Sequence, residues 1–426
     1  MTTEIDPRSG YGHWTLMRER LLLLTLAAIQ FTTVLDFLII MPLGPQFKLV
    51  FGLDPGQFGF LVASYGIAAG FSGLAAGFFL DRFDRKKALL WLYLGFTIGT
   101  LCCAFSPTYE ILLASRFITG AFGGVVGAVI LAIIGDVVPN ERRGTAMGIV
   151  MSSFSISQIL GVPIGLYLAG PTNWHMPFFA LGGLGAVVLV VVGIITPSLK
   201  GHMMHAGDEH PFERTWAVMV EPDHQKAFLF MAMITFAGTM IFPYFASYMV
   251  ANAGLKSEQL PWVYFFSGFC TLVSMNLVGR WADHSGKRYV FTISSLVMAL
   301  PILAFTNLPK VPLAEALAVS TILMVCMTSR MVPAMAMMTA AVEPRNRGGF
   351  MSINSAVQQL SMGLGSVVGG KILGENSRGE LTHFPINGVV AIVCSYICIY
   401  LAKFLKAPAK SNLPDKAAEP VFMESV

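Results

Sequence analysis

The 426-residue chain is 55% hydrophobic and 12% charged, with a mean hydropathy of +0.67 and a formal net charge of +4. Soluble domains carry roughly 25% charged residues, so this balance excludes an ordinary soluble protein and places most of the chain in a bilayer. The net charge matters less than its placement, and no nucleic-acid partner is expected.

Residues 1–20 are polar and charged, which predicts a tail and not a cleavable signal peptide. Apolar windows of about twenty residues then predict helical spans near 21–43, 57–80, 89–106, 110–135, 146–170 and 175–196. After a polar stretch come spans near 226–250, 258–280, 289–307, 314–340, 349–373 and 385–405, the glycine-rich later ones giving weaker signals. The expected organisation is a tail (1–20), a six-helix bundle (21–196), a linker (197–225), a second six-helix bundle (226–405) and a tail (406–426). Placing the N-terminus inside puts 21 of the 28 Lys and Arg residues on the cytoplasmic side, so both termini are expected there.

Span one (LLLLTLAAIQFTTVLDFLIIMPL) holds Asp36 at membrane depth, where an ionisable group is costly and marks work on a proton, an ion or a substrate. Span four holds Arg116. At 1.5 Å per residue both lie roughly 10–12 Å below the outer surface, so the two charges are expected to meet. Arg116, Gly120 and Gly124 are spaced by four, which puts the arginine on a face with glycines that permit close helix approach. Attraction favours the ionised pair and desolvation disfavours it, and a shift in that balance would load and release a proton. A static structural ion pair is the alternative.

Span two carries Gly66, Gly70, Gly73 and Gly77, one small-residue stripe. In span five, Gly161 and Gly165 make a close-packing face, while Pro163 removes a backbone bond and permits a bend. Arg330 in span ten lies roughly 16 Å from the cytoplasmic end. A substrate anion, Asp36 across a cavity and backbone carbonyls are its three candidate partners. Polar side chains at mid-depth sketch a substrate cavity: Gln30, Thr33, Tyr65, Gln158, Asn276, Asn354, Gln358 and Gln359. The 24 methionines and 32 phenylalanines suit varied apolar substrates, and equally suit packing and lipid contact. The six cysteines fall inside apolar spans without metal-like or disulfide-like spacing. His202, His205, His210 and His224 are irregularly spaced in the linker and read as solvated, so no metal site is expected.

The chain also repeats. Gly77-Phe-Phe-Leu-Asp81-Arg82-Phe-Asp84-Arg85-Lys86 after span two matches Gly279-Arg-Trp-Ala-Asp283-His-Ser-Gly286-Lys287-Arg288 after span eight, 202 residues on. Pro139, Arg143, Gly144 and Met147 recur as Pro344, Arg347, Gly348 and Met351, shifted by 204 or 205. Two halves with a G-x-x-x-D-[RH]-x-x-[RK]-[KR] loop resemble the major facilitator superfamily over nearly the whole chain. On the stretch VLDFLIIMPLGPQF the chain looks closest to its twelve-span, proton-coupled drug and sugar efflux permeases of the arabinose-efflux type.

The resemblance implies two pseudo-symmetric bundles around a central cavity, with alternating access by rocking, and span two packed on span eleven. It also implies a latch that holds the inner side shut, built from Gly77, Asp81, Arg82, Arg85 and Asp136, with Asp283 and Lys287 in the second copy. Asp81 would meet the positive N-terminal end of span eleven. Asp84 stands where the family usually has glycine, so that turn is either strained or capped by Asp84 itself. Span five resembles the exporters' G-P-x-x-G motif, with the Gly-Pro pair split by Val162. The expected protein is a monomeric secondary transporter of a bacterial inner membrane. It would export a small organic molecule, such as a drug-like compound or a sugar, against protons and without a bound cofactor. Import of an organic anion or sugar by a facilitator or symporter stays open, as does a non-transporting receptor or scaffold. The sequence has no catalytic constellation and no G-x-x-x-x-G-K-[ST] loop, so neither an enzyme nor an ATP-driven pump is expected.

Overall fold

A computed structural model describes residues 16–80, 83–139, 142–170, 173–199, 211–342 and 347–405. Among these residues, eleven helical segments are long and apolar enough to cross a membrane. They are spans one to six (Met17–Ile39, Pro55–Gly77, Arg85–Ala104, Tyr109–Val137, Arg143–Ala169, His175–Ile195), seven to ten (Pro222–Ala251, Ser257–Ser285, Lys287–Thr306, Leu313–Ala340) and twelve (Phe384–Leu401). The eleventh predicted span is also a helix, Arg347–Ile372, but Ser352, Asn354, Gln358 and Gln359 dilute its apolarity below that of the others. Among the described residues, no other pair of helices packs as extensively as this one and span two.

Helix starts and breaks follow local chemistry. Span two opens on a reciprocal cap: Gln57 N donates to Asp54 Oδ1 at 2.8 Å, Asp54 N donates to Gln57 Oε1 at 3.1 Å, and Pro55 is the first helical residue. Three other helices end four residues before a proline, whose ring displaces the carbonyl at that position. Thr239 precedes Pro243, Val297 precedes Pro301, and Ser329 precedes Pro333. In span five the residue four before Pro163 falls inside a π turn, Ser157–Gly161, which joins Arg143–Ile156 to Val162–Ala169. The bend expected at Pro163 is therefore this π turn.

The two copies of the repeated loop turn differently. Asp84 is the N-cap of span three, with an ordinary φ of −55°. Its carboxylate accepts from Lys86 N at 2.9 Å, Leu199 N at 3.0 Å and Ser198 Oγ at 2.6 Å. The turn is thus capped by Asp84 and unstrained. The second copy keeps Gly286 at φ +94°, a conformation that favours glycine.

Among the described residues the halves share an apolar core at one end only. The loops rich in Arg and Lys, including Arg85–Lys87 and Arg142–Arg143, define a basic end. At the opposite end one continuous core joins the first half (Leu35, Ile39, Phe47, Phe58) to the second (Tyr244, Phe245, Tyr264, Phe384). Toward the basic end each half has its own core, around Val126 and Ile130 in one and around Phe230 and Phe350 in the other. The glycine stripe of span two divides in the same way. Gly66 and Gly70 abut Gln359, Leu360 and Ala356 of span eleven, Gly73 faces Gly124 of span four, and Gly77 faces open space, as do Gly348 and Gly349.

Polar contacts reinforce the closed end. Lys48 Nζ pairs with Glu375 Oε1 at 2.8 Å and donates to the Gly379 carbonyl at 2.8 Å. Glu375 lies in a two-stranded hairpin, Gly374–Glu375 with Leu381–Thr382. Asn252 fastens that hairpin to span seven by two 2.9 Å bonds with the Leu381 backbone. The linker holds a helix, Pro211–Val220, that the sequence reading took for a polar stretch. Val218 on it is buried and Trp216 is exposed, the two-faced pattern that hydropathy windows miss. It lies against spans two and eleven. His224 Nδ1 is 2.9 Å from the Val218 carbonyl, whereas His202, His205 and His210 lie outside the described residues.

Candidate functional site

Asp36 and Arg116 meet. Arg116 Nη1 lies 2.6 Å from Asp36 Oδ2, and both side chains are 0% exposed. The same nitrogen reaches the Asp36 carbonyl at 3.3 Å, and Thr100 Oγ1 of span three donates to Asp36 Oδ1 at 3.0 Å. The guanidinium sits 4.8 Å from the Tyr65 ring centroid, a cation–π contact. The glycine spacing explains this arrangement. A Cβ on Gly120 would fall 2.8 Å from Tyr65 Cα, and one on Gly124 would fall 2.5 Å from Ala69 Cα, so span four lies directly on span two. Arg116 Nε and Nη2 are buried without a hydrogen-bond partner among the described residues. A buried pair is offset only by good geometry and added hydrogen bonds, and here spans one, two, three and four all contribute.

Span five brings the two halves together. Gly161 packs against Leu35 and Gly165 against Ile39, both on span one. From the other half, Gly268 of span eight lets the backbone of Gln158 and Ile159 come close, with a Cβ there 3.3 Å from Ile159 Cα. A small cavity at this crossing is lined by Leu38, Gln158, Val162, Phe242, Tyr264 and Met324.

The remaining candidates scatter. Tyr65 is 4% exposed beneath Arg116, so it belongs to the ion-pair site and not to a cavity wall. Arg330 is 2% exposed inside the second half, where Nη1 donates to Ser395 Oγ at 2.7 Å and Nη2 to the Ile234 carbonyl at 3.2 Å. The cross-cavity pair with Asp36 does not form, because Arg116 already holds that carboxylate. Arg330→Ala is expected to lower stability by about 1–3 kcal/mol, the cost of stranding buried hydrogen-bond partners. The ratio of acidic to neutral substrate transport should stay unchanged. Thermal unfolding and a two-substrate flux assay check this, and a selective loss of acidic substrate would give Arg330 a binding role. Asn276 is exposed and donates to the Leu272 carbonyl of its own helix. Asn354 is 1% exposed, and its amide has no partner among the described residues. Gln30 and Gln358 are half-buried.

Of the latch residues, Arg85 Nε pairs with Asp136 Oδ2 at 3.1 Å, tying span three to span four within one half. Asp81 and Arg82 lie outside the described residues. Asp283 is exposed and Lys287 half-buried, and neither makes an ion pair among the described residues. Among the described residues the latch contact that forms, Arg85 with Asp136, thus lies within one half. Thr100 and Tyr264 escaped the sequence reading, since a hydroxyl in an apolar run and a tyrosine within Trp262–Phe266 carry no mark of their own.

A bundle of apolar helices, two related halves and a charged pair sealed at membrane depth define a membrane transporter of the two-bundle kind. The chain belongs to the Major Facilitator Superfamily, whose family model matches residues 26–219 and 227–425. It is similar to the uncharacterised MFS-type transporter YceJ of Bacillus subtilis, 24% identical and covering 86% of this chain and 92% of that protein. The inner membrane transport protein YdhP of Escherichia coli is 25% identical over 81% and 86%. Multidrug resistance protein 2 of Bacillus subtilis is 23% identical over 85% and 90%. Among solved structures, a D-xylose–proton symporter superposes with a TM-score of 0.74 at 17% identity, covering 92% of this chain and 99% of that one.

Proposed function

We propose that the chain is a secondary active transporter that exports a small organic molecule in exchange for protons. In this reading the basic end is cytoplasmic, the protein works as a monomer in a bacterial inner membrane, and the conformation with its halves splayed at the basic end is open to the cytoplasm. The observation that carries the reading is the Asp36–Arg116 pair, fully buried at membrane depth and held by Thr100. An ionisable group kept there at such cost is suited to taking up and releasing a proton. One relative is named for multidrug resistance, which supports export, and another for inner-membrane transport, which supports that membrane. The absence of a Gly-rich phosphate loop in the sequence favours a gradient over ATP as the energy source.

The test is flux in proteoliposomes, with and without an imposed pH difference, over a panel of compounds. Uphill accumulation that requires the pH difference is expected. Equal downhill rates in both conditions would make the protein a facilitator, and no flux of any compound would favour a receptor.

A further inference from the structure

Tyr264 is 6% exposed, and its hydroxyl is buried with no hydrogen-bond partner among the described residues. Its ring is fixed by Phe245, with centroids 5.6 Å apart. A buried phenol left unpaired is costly, and this one lines the cavity where spans five and eight cross. Gln158 lines the same cavity from the other half, on the π turn Ser157–Gly161. Single π turns within α-helices frequently mark functional sites. Leu38, Val162, Phe242 and Met324 make the rest of the wall apolar. The free space is about 10 Å³, the room of one water-sized group, so a single functional group fits here. The charged side chains nearest this level, Asp36, Arg116 and Arg330, are each 2% exposed or less and are bonded within their own halves.

We infer that Tyr264 and Gln158 form a polar subsite that receives one uncharged hydrogen-bonding group of a mainly apolar molecule, so the substrates are neutral amphipaths and not organic anions or sugars. This inference rests on the transport reading above and names its substrate class. An anion would meet no free cation on this wall. A sugar carries polar neighbours beside any hydroxyl it inserts, whereas the side chains around this subsite are apolar.

The test is equilibrium binding of radiolabelled probes to the purified protein in nanodiscs, with no gradient, so that failure of proton coupling does not affect the readout. The probes are 1-naphthalenemethanol, its apolar isostere 1-ethylnaphthalene, 1-naphthoate and D-glucose. The wild-type protein should bind the alcohol about fivefold tighter than the isostere, the worth of one ordinary hydrogen bond, and bind naphthoate and glucose weakest. Tyr264→Phe and Gln158→Leu should each erase about fivefold of the alcohol's affinity and leave the isostere's unchanged, which also controls for folding. Tighter binding of naphthoate or glucose, an alcohol preference unchanged in both variants, or no binding of the alcohol to the wild-type protein would overturn the inference. If the probes behave as expected while no pH difference drives flux, the subsite stands and proton exchange falls.

Discussion

Asp36→Asn should yield a protein that inserts and folds but no longer concentrates its substrate under a pH difference. The amide is nearly the same size as the carboxylate: its one oxygen can still accept from Arg116, and its NH2 can donate to the Thr100 hydroxyl in place of accepting from it, so the local geometry survives. It cannot gain or lose a proton in the working range. The variant also strands the Arg116 charge in a fully buried site, which costs about 3–5 kcal/mol when one partner of a buried pair is removed. A lower Tm is therefore expected alongside the transport defect. Asp36→Asn combined with Arg116→Gln removes both charges, and should recover most of the lost stability without recovering accumulation. That divergence separates a coupling site from a merely structural pair. Should either variant still drive substrate uphill under a pH difference, Asp36 is not where protons couple.

Gly59→Val should prise open the closed end. A Cβ at Gly59 would collide with the Tyr244 hydroxyl and lie 2.5 Å from the Ser366 carbonyl oxygen, so backbone as well as side chain stands in the way. Overpacking of this kind costs about 1–3 kcal/mol, and a bias of that size moves a two-state ratio by about 5–150-fold. Spin labels on Val50 and Lys256, both exposed on opposite halves near that end, should report a longer distance population in the variant. Gly183→Val, at an exposed position of span six facing open space, should leave the distribution unchanged. An unaltered distance distribution in the Gly59→Val protein would mean that the glycine contacts do not control closure.

The membrane class, the two halves and the Asp36–Arg116 contact were legible because each rests on a strong signal: long apolar runs, a repeat at a near-constant offset, and rare charges whose depth can be counted along a helix. Depth is legible, but azimuth is less so. The partners of Arg330 are a serine hydroxyl and a carbonyl, which leave no trace in sequence. Tyr65 was set on a cavity wall when the close contact of Gly120 with span two puts it under the arginine. The helix breaks before Pro243, Pro301 and Pro333 were readable from the same rule applied at Pro163, though a π turn shifts hydrogen-bond register without altering hydropathy. The eleventh span looked weak because Ser352, Asn354, Gln358 and Gln359 lower its apolarity, while its extensive packing on span two leaves no mark in composition.

The two solutions to one turn leave the duplicated loops under unlike mutational constraint. The first loop depends on a side chain being present: Asn or Ser at position 84 would still offer an oxygen to cap span three, so drift there is graded, with losses of about 0.5–2 kcal/mol only when the acceptor disappears. The second depends on a side chain being absent, since any other residue at Gly286 must enter a region that costs roughly 1–3 kcal/mol. One copy is thus free to explore polar alternatives while the other is held to a single amino acid. An insertion or substitution tolerated in the first loop therefore carries no licence for the second, although both descend from the same pattern.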